Sequence, residues 1–171
     1  MARPDLSRVP EFYHGYINAV PEKNLMPALL NQTAPFFKLL KKIPTDKHNY
    51  RYAKGKWTIK EMLQHMIDTE RIFAYRALCI ARQETASLPG FDENRYADNS
   101  KANKRNWNDL VAEFKAVRQS TEILFASFDK KQLDSNGISN GRSVYVLGIG
   151  FVIVGHVNHH VKILHERYLS R

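Results

Sequence analysis

Histidine is the residue type in this chain whose number and spacing could support chemistry. Seven histidines occur among 171 residues, and four of them fall between His156 and His165. If this stretch is helical, His156 and His160 lie four residues apart on one face, one above the other. That is the spacing at which a rigid helix presents two imidazoles to one metal ion. His159 is three residues from His156 and would also be its neighbour, so spacing alone does not exclude it.

The apolar pattern favours His156 and His160 over His159. Both lie on one apolar stripe of the predicted helix, whereas His159 lies off that stripe. The apolar members of the stripe are Ile149, Val152, Ile153, Ile163 and Leu164. Two imidazoles leave a metal site incomplete, so a third ligand must come from another helix.

His65 is the natural candidate for the third ligand, because it faces mostly inward in the most clearly predicted helix. His14 falls in an amino-terminal arm and His48 in a charged loop, so we expect both to be exposed to solvent. The residues therefore predict a divalent metal site formed by His65, His156 and His160. An inward-facing histidine can also be a hydrogen-bonded core residue, and spacing does not separate the two alternatives.

Four segments of helical character must position these histidines. They run from about Asn24 to Lys42, Thr58 to Gln83, Asn106 to Phe128 and Ser143 to Tyr168. The second segment has the clearest start, because Thr58 and Glu61 form a T-x-x-E capping box. In the third segment, apolar residues recur at three- and four-residue spacing from Leu110 onward.

The first half of the fourth segment, VYVLGIGFVIVG (144–155), is compatible with helix or strand. Its β-branched residues and its three glycines, Gly148, Gly150 and Gly155, favour a buried strand by propensity. No turn signal separates it from the plainly helical VNHHVKILHERYL (157–169), and nothing else in the chain resembles a strand that could pair with it. We therefore predict one long helix whose glycines let a neighbouring element approach closely.

The connection between the second and third helical segments, Glu84 to Asn103, is longer than bundle connections usually are. A connection of this length can run along the whole bundle, so the second and third helices could lie parallel. The first 21 residues contain three prolines and several aromatic residues, which indicates an arm that packs on the body rather than one long helix. We predict an all-α protein with a single domain, 1–171, in which 1–21 form the packed arm.

Composition is that of a globular protein with a core, since 43% of residues are hydrophobic and 25% are charged. Cys79 is the only cysteine, no signal peptide is evident, and the longest apolar run (144–155) is too short to span a membrane. We therefore expect a cytoplasmic protein with no membrane partner.

The formal net charge of +9 favours contact with polyanions. Eight basic residues lie between Lys38 and Lys60, and three aromatic residues are interleaved with them (Tyr50, Tyr52 and Trp57), a composition also found in single-strand nucleic-acid platforms. No nucleic-acid-binding motif accompanies this stretch, so a solvated face is the simpler interpretation.

Two segments resemble the signature regions of the DinB/YfiT-like superfamily: WTIKEMLQHMID (57–68) and GHVNHHVKIL (155–164). The segments TERIFAYRALCIAR (69–82), LPGFD (88–92) and EFKAVR (113–118) resemble one of its subgroups. The resemblance extends from about Phe12 to Tyr168. It implies a four-helix bundle with a long crossover between the second and third helices, often a homodimer. It also implies a nickel-, zinc- or iron-type ion held by one histidine of the second helix and an H-x-x-x-H of the fourth, here His65, His156 and His160.

The resemblance further implies a function, because characterised relatives include transferases and isomerases that use low-molecular-weight thiols. The first hypothesis is a metal-dependent transferase or hydrolase of a small-molecule substrate. Its nucleophile would be a water or a thiol, and thiol chemistry would need a co-substrate thiol, because no cysteine lies close to the histidines. The alternative is a non-catalytic metal-binding stress-response bundle, and a third is nucleic-acid binding through 38–60. Residues near the histidines with a conceivable role are Asp68 and Glu70 as partners of the ligands, and Arg51, Lys54 and Lys56 as carboxylate-binding groups.

Overall fold

The computed structural model describes residues 3–170. Four long helices form the body, and the remaining elements connect or cover them. The helices are α1 (His14–Asn18), α2 (Leu25–Lys42), α3 (Ile59–Ala81), α4 (Glu93–Ser100), α5 (Trp107–Ala126), α6 (Lys130–Leu133) and α7 (Val146–Ile163). The strands are β1 (Asn136–Ser139) and β2 (Arg142–Tyr145). A π-helical turn, Leu164–Leu169, extends α7.

The four long helices, α2, α3, α5 and α7, confirm the predicted helical bundle. α3 packs against both α5 and α7, and α2 packs against the same two helices. Apolar side chains of all four fill the interior, and α7 is buried almost all round from Val146 to Val157. By length and composition, Val146–Leu169 could cross a membrane, but 72% of its most apolar window is buried inside the structure, as in the core helix of a bundle.

The second and third long helices, α3 and α5, run parallel, as the long connection between them predicts. Near the start of α3, Glu61 accepts a hydrogen bond from Asn103, which precedes α5. Further along α3, Glu70 pairs with Arg118 in the second half of α5. Contacts therefore advance in the same direction along both helices. The crossover that this topology requires contains α4.

Local signals explain where the two parallel helices begin. The Thr58 side chain accepts a hydrogen bond from the backbone N–H of Glu61 (3.1 Å), and the Glu61 carboxylate accepts one from the backbone N–H of Thr58 (2.7 Å). The predicted capping box of α3 is therefore present. Asn106 caps α5 in a similar way through its side-chain oxygen.

The prediction of one helix from Ser143 was wrong in its first residues, because 142–145 form a strand. β2 pairs antiparallel with β1, with Ser139 opposite Arg142. Asn140 and Gly141 connect the strands, both with positive φ (51° and 69°). Asn-Gly is a strong two-residue hairpin signal. The helix follows immediately after this hairpin, at Val146.

Close approach at a glycine, predicted for this segment, occurs at Gly155. A Cβ there would overlap the backbone carbonyl of Tyr16 in α1. α1 lies against α7, and Ile17 of the arm is 1% exposed. The absence of a side chain at Gly155 therefore lets the amino-terminal arm pack directly beside His156.

Candidate metal centre

Three histidines from two helices converge at one point of the bundle. His65 comes from α3, and His156 and His160 come from α7. The Nε2 atom of His156 is 2.9 Å from Nε2 of His65 and 3.0 Å from Nε2 of His160. One ligand atom from each ring lies within 4.8 Å of the other two, so a single cation could contact all three.

Hydrogen bonding among the three rings does not satisfy this arrangement. Each imidazole nitrogen has one in-plane site, which holds either a proton or a lone pair. Nε2 of His156 approaches two other nitrogens, so only one of its two short contacts can be an ordinary hydrogen bond. A cation would accept the lone pairs of all three nitrogens together. The donor set and its geometry therefore fit a divalent metal ion.

Burial keeps the three imidazoles neutral, which is the state that binds metal. Burial, with a smaller contribution from the neighbouring His159, lowers the pKa of His65 to about 4. Burial, followed by the nearby His65 and His159, lowers the pKa of His160 to about 3. The pKa of His156, the most deeply buried of the three, is lowered well below its usual value for the same reasons.

Aromatic side chains hold two of the rings in place. Trp57, just before α3, lies against His65 with the ring centroids 4.6 Å apart. Tyr16 of α1 packs edge-on against His156 at 5.6 Å. The Nδ1 atom of His160 is buried and has no hydrogen-bond partner within residues 3–170.

The cluster faces a cavity of about 320 Å³, which is at the lower end of small-molecule binding sites. Its walls come from the amino-terminal arm, α3, the crossover, the β1–β2 turn and α7. Besides the three ligand candidates they include Phe12, Tyr13, Tyr16, Trp57, Thr69, Phe73, Arg76, Gly90, Phe91, Glu93, Asn140 and His159. The histidines thus lie at the wall of a mainly aromatic site that a small molecule could enter.

The other histidines lie outside this cluster. His159 is exposed and lines the rim of the cavity, with its ring 5.2 Å from that of His160. The expectation that His48 is exposed was wrong, because it is 8% exposed and stacks on Trp107. His14 is half-buried, and its Nε2 atom lies 2.9 Å from the carbonyls of Leu6 and Val9.

The acidic residues considered as partners of the ligands face elsewhere. Glu70 is 1% exposed and pairs with Arg118. Asp68 accepts a hydrogen bond from Gln64 (2.9 Å) and lines a separate surface groove. Sequence spacing placed both near His65 along the chain, but it could not show which neighbouring helix each one faces.

Of the basic residues before α3, none lines the main cavity. Arg51 and Lys54 are exposed, and Arg51 lies 3.9 Å from Glu61. Lys56 is also exposed and borders a smaller space of about 230 Å³ together with Trp57 and His160. The cavity instead contains an arginine, Arg76, that sequence reasoning did not single out. The spacing could have identified it, because Arg76 is a charged residue eleven positions after His65 and lies on the same face of the helix.

These features define a class of protein: a four-helix bundle with a long crossover and three histidines facing a cavity. The sequence model of the DinB superfamily matches residues 28–164, and the chain belongs to that superfamily. The resemblance seen in the two signature segments is thereby confirmed.

Among solved structures, YfiT from Bacillus subtilis is similar over 98% of this chain and 91% of its own, with a TM-score of 0.70. Its structure is described as that of "a probable metal-dependent hydrolase with an unusual four-helix bundle topology". With 18% sequence identity the similarity shows the fold, and it supports the crossover topology described above. A comparison with curated proteins finds no significant match.

Proposed function

We propose that this protein binds one divalent metal ion through His65, His156 and His160 and uses it to act on a small molecule. The observation that carries the proposal is the convergence of three imidazole nitrogens within 4.8 Å of one another at the wall of an open cavity. Neutral imidazoles suit nickel, zinc and iron, and the absence of carboxylate groups from the trio disfavours calcium and magnesium.

The layout favours catalysis over a purely structural ion. Structural zinc sites are closed by four protein ligands, whereas catalytic sites keep a position open. Within the described residues, three side chains form the cluster, and the space beside them is the cavity. When bound, a divalent ion lowers the pKa of a coordinated water or thiol and so supplies a nucleophile near neutral pH.

The chain's own residues would bind and orient the substrate. Trp57 and Tyr16 restrict the rings of the ligands, and the aromatic walls would contact an apolar part of the substrate. Cys79 packs against the apolar core and does not line the cavity. A thiol nucleophile would therefore come from a low-molecular-weight co-substrate. With such a thiol the reaction would be a thiol-dependent transfer, and with water as the nucleophile it would be a hydrolysis.

Metal analysis of purified protein tests the site. We expect about one divalent ion per chain in the wild type, and a loss of most bound metal in His65→Ala and His160→Ala. His159→Ala and His165→Ala are matched controls on the same helical segment and should retain the ion. A stoichiometry unchanged by His65→Ala would show that the three-histidine site is wrong.

A second experiment separates a catalytic ion from a structural one. Hydrolysis of activated esters and thiol transfer to electrophilic substrates should require the loaded protein and should stop on chelation. A chelated protein that loses stability, combined with no turnover of either substrate type when loaded, would favour the non-catalytic alternative.

A cytoplasmic location and a homodimer remain predictions. Sedimentation analysis of the loaded protein tests the dimer.

Nucleic acid is a weaker candidate partner, for a reason that concerns the aromatic residues of 38–60. Tyr50 and Tyr52 pack edge-on against Tyr168, with ring centroids 6.1 and 5.0 Å apart, and Trp57 packs against His65. These rings are engaged within the protein and are not free to stack on bases. We expect no binding of single-stranded DNA beyond a weak, salt-sensitive association.

A further inference from the structure

Arg76 is a charged side chain buried in the wall of the cavity. Only 4% of its surface is exposed. Its Nη2 atom donates a hydrogen bond to the backbone carbonyl of Pro89 (2.7 Å), but its Nε atom is buried without a hydrogen-bond partner among residues 3–170. A buried guanidinium carries a large desolvation cost unless an anion pairs with it.

The other buried arginine shows what a paired guanidinium looks like in this bundle. Arg118 makes two hydrogen bonds of 2.8 Å to the carboxylate of Glu70 and a third to Gln32. Arg76 has no such carboxylate within ion-pair distance in the described part of the chain. Besides the Pro89 carbonyl and the Tyr13 hydroxyl, the neighbours of its guanidinium are the rings of Phe73 and Phe91, at 5.2 and 5.8 Å from their centroids, and none of these groups can neutralise its charge fully.

Arg76 lies on the same face of α3 as His65. The two residues are eleven positions apart, which is close to three helical turns, and about 16 Å along the helix axis. Side chains on a helix lean towards its amino terminus, and the Arg76 guanidinium lies over Phe73, three residues nearer to His65. Thr69 and Phe73 line the same cavity between them.

The other charged groups of the cavity do not replace an anion at Arg76. Glu93 also lines the space, but it is exposed in the first turn of α4, where water screens its charge. The Tyr13 hydroxyl interacts with the Arg76 guanidinium, but burial raises the pKa of this phenol, so it stays neutral near pH 7 and brings no negative charge. The cavity therefore combines aromatic walls, one buried cation and the histidine cluster.

We propose that the ligand of this cavity is a small organic acid whose carboxylate pairs with Arg76 while its other end reaches the histidine cluster. The second half of this statement depends on the proposed function, whereas the pairing with Arg76 does not. A guanidinium binds carboxylate through parallel hydrogen bonds, and the aromatic walls suit an apolar body between the two ends.

Binding of matched acids and amides to chelated protein tests the pairing. We would measure phenylacetate, 4-phenylbutyrate and their neutral amides by titration calorimetry, in the absence of metal so that a carboxylate cannot bind an ion instead. We expect at least one acid to bind about tenfold or more tightly than its amide, because a charge-assisted pair is lost with the amide. Equal affinity of every acid and its amide would overturn the proposal.

Substitutions separate this role from a structural one. Arg76→Gln should remove the preference for the acid, whereas Arg82→Gln should keep it, because Arg82 is exposed on the turn after α3 and does not line the cavity. If Arg76 only held the Pro89 carbonyl, Arg76→Gln would weaken acid and amide alike and leave their ratio unchanged, which would also overturn the proposal.

The charge-retaining variant Arg76→Lys covers the case in which Arg76→Gln fails to fold. It should keep a preference for the acid that is several-fold smaller, since lysine cannot form the paired hydrogen bonds. Equal affinities of Arg76→Lys for an acid and for its amide would contradict the pairing. Failure of the metal site would appear separately, as a low zinc stoichiometry in a protein whose chelated form still distinguishes acid from amide.

Discussion

His65 and Glu70 lie five residues apart on α3, yet they belong to two different kinds of buried polar cluster. Glu70 and Arg118 are each 1% exposed, and the guanidinium satisfies both carboxylate oxygens. The histidine cluster has three nitrogens directed at one point and no set of protons that satisfies every short contact.

The difference between the two clusters concerns what completes them. The ion pair is complete within the protein, so its role is to fix the packing of α3 against α5. The histidine cluster is not completed by hydrogen bonds within the described residues, and under the proposed function a cation would complete it. Burial alone therefore does not indicate function in this bundle, whereas unsatisfied hydrogen-bonding capacity does.

The largest expected effect comes from breaking the ion pair. Arg118→Met leaves the Glu70 carboxylate buried without a partner, and we expect the free energy of unfolding to fall by about 3–5 kcal/mol in urea titrations. The double variant Glu70→Leu with Arg118→Met should recover most of this loss. The exposed Arg82→Met is the control, expected within about 0.5 kcal/mol of the wild type. A similarly small effect for Arg118→Met would contradict the comparison.

Metal binding should have the next largest effect on the free energy of unfolding, and we expect this effect to depend on the histidine cluster alone. At a free zinc concentration 100 to 1,000 times the Kd, the free energy of unfolding should rise by about 3–4 kcal/mol. His160→Ala should abolish this increase, and His159→Ala should preserve it. Unfolding measured with zinc and with chelator provides the test. An increase that persists in His160→Ala would show that zinc acts elsewhere.

Gly155→Ala perturbs the histidine cluster without changing a histidine. The added methyl would meet the Tyr16 backbone, so α1 must shift away from His156. We expect a loss of about 1–3 kcal/mol in stability together with weaker zinc binding. Gly15→Ala is the matched control, because a Cβ there has no atom within 4 Å. If both variants unfold at the same denaturant concentration, the close approach at Gly155 does not contribute to stability.

The last expected effect, and the smallest over one pH unit, is a pH dependence of the metal-free protein. The pKa of His65 is lowered to about 4 and that of His160 to about 3, so the unfolded chain binds protons before the folded one. Their contribution to stability is complete above pH 6.5 and decreases as the pH falls towards about 4 for His65 and about 3 for His160. Each histidine contributes a slope of up to about 1.4 kcal/mol per pH unit. His160→Leu should reduce the slope in chelator-containing buffers, and an identical slope would contradict this assignment.

Local signals predicted the parts of the fold that depend on near neighbours. The Thr58 capping box, the start of α5 and the pairing of His156 with His160 on one face each involve residues within four positions. The hairpin was missed because its strands are only four residues long and the end of β2, Val144 and Tyr145, begins the apolar run 144–155 that was predicted as helix. The Asn140-Gly141 dipeptide was the available signal.

Long-range packing decided the features that the sequence did not reveal. The burial of His48 depends on Trp107, far along the chain, and the partner of Glu70 is on another helix. The role inferred for Arg76 depends on the crossover, because Pro89 and Phe91 are its neighbours. Spacing along one helix predicts which face of the helix a residue occupies, but it does not show which neighbouring element packs against that face.

The crossover also affects how such a site could diversify. Leu88 donates a backbone hydrogen bond to Ile138 and accepts one from Asn140, so this segment attaches to the hairpin through main-chain atoms (2.9 Å each). Gly90 and Phe91 follow and line the cavity, while the histidines belong to α3 and α7. Main-chain attachment tolerates exchange of side chains, and loops accept insertions more readily than helices do. Under the proposed function, substrate choice would therefore evolve in the crossover while the two helices that carry the histidines remain unchanged.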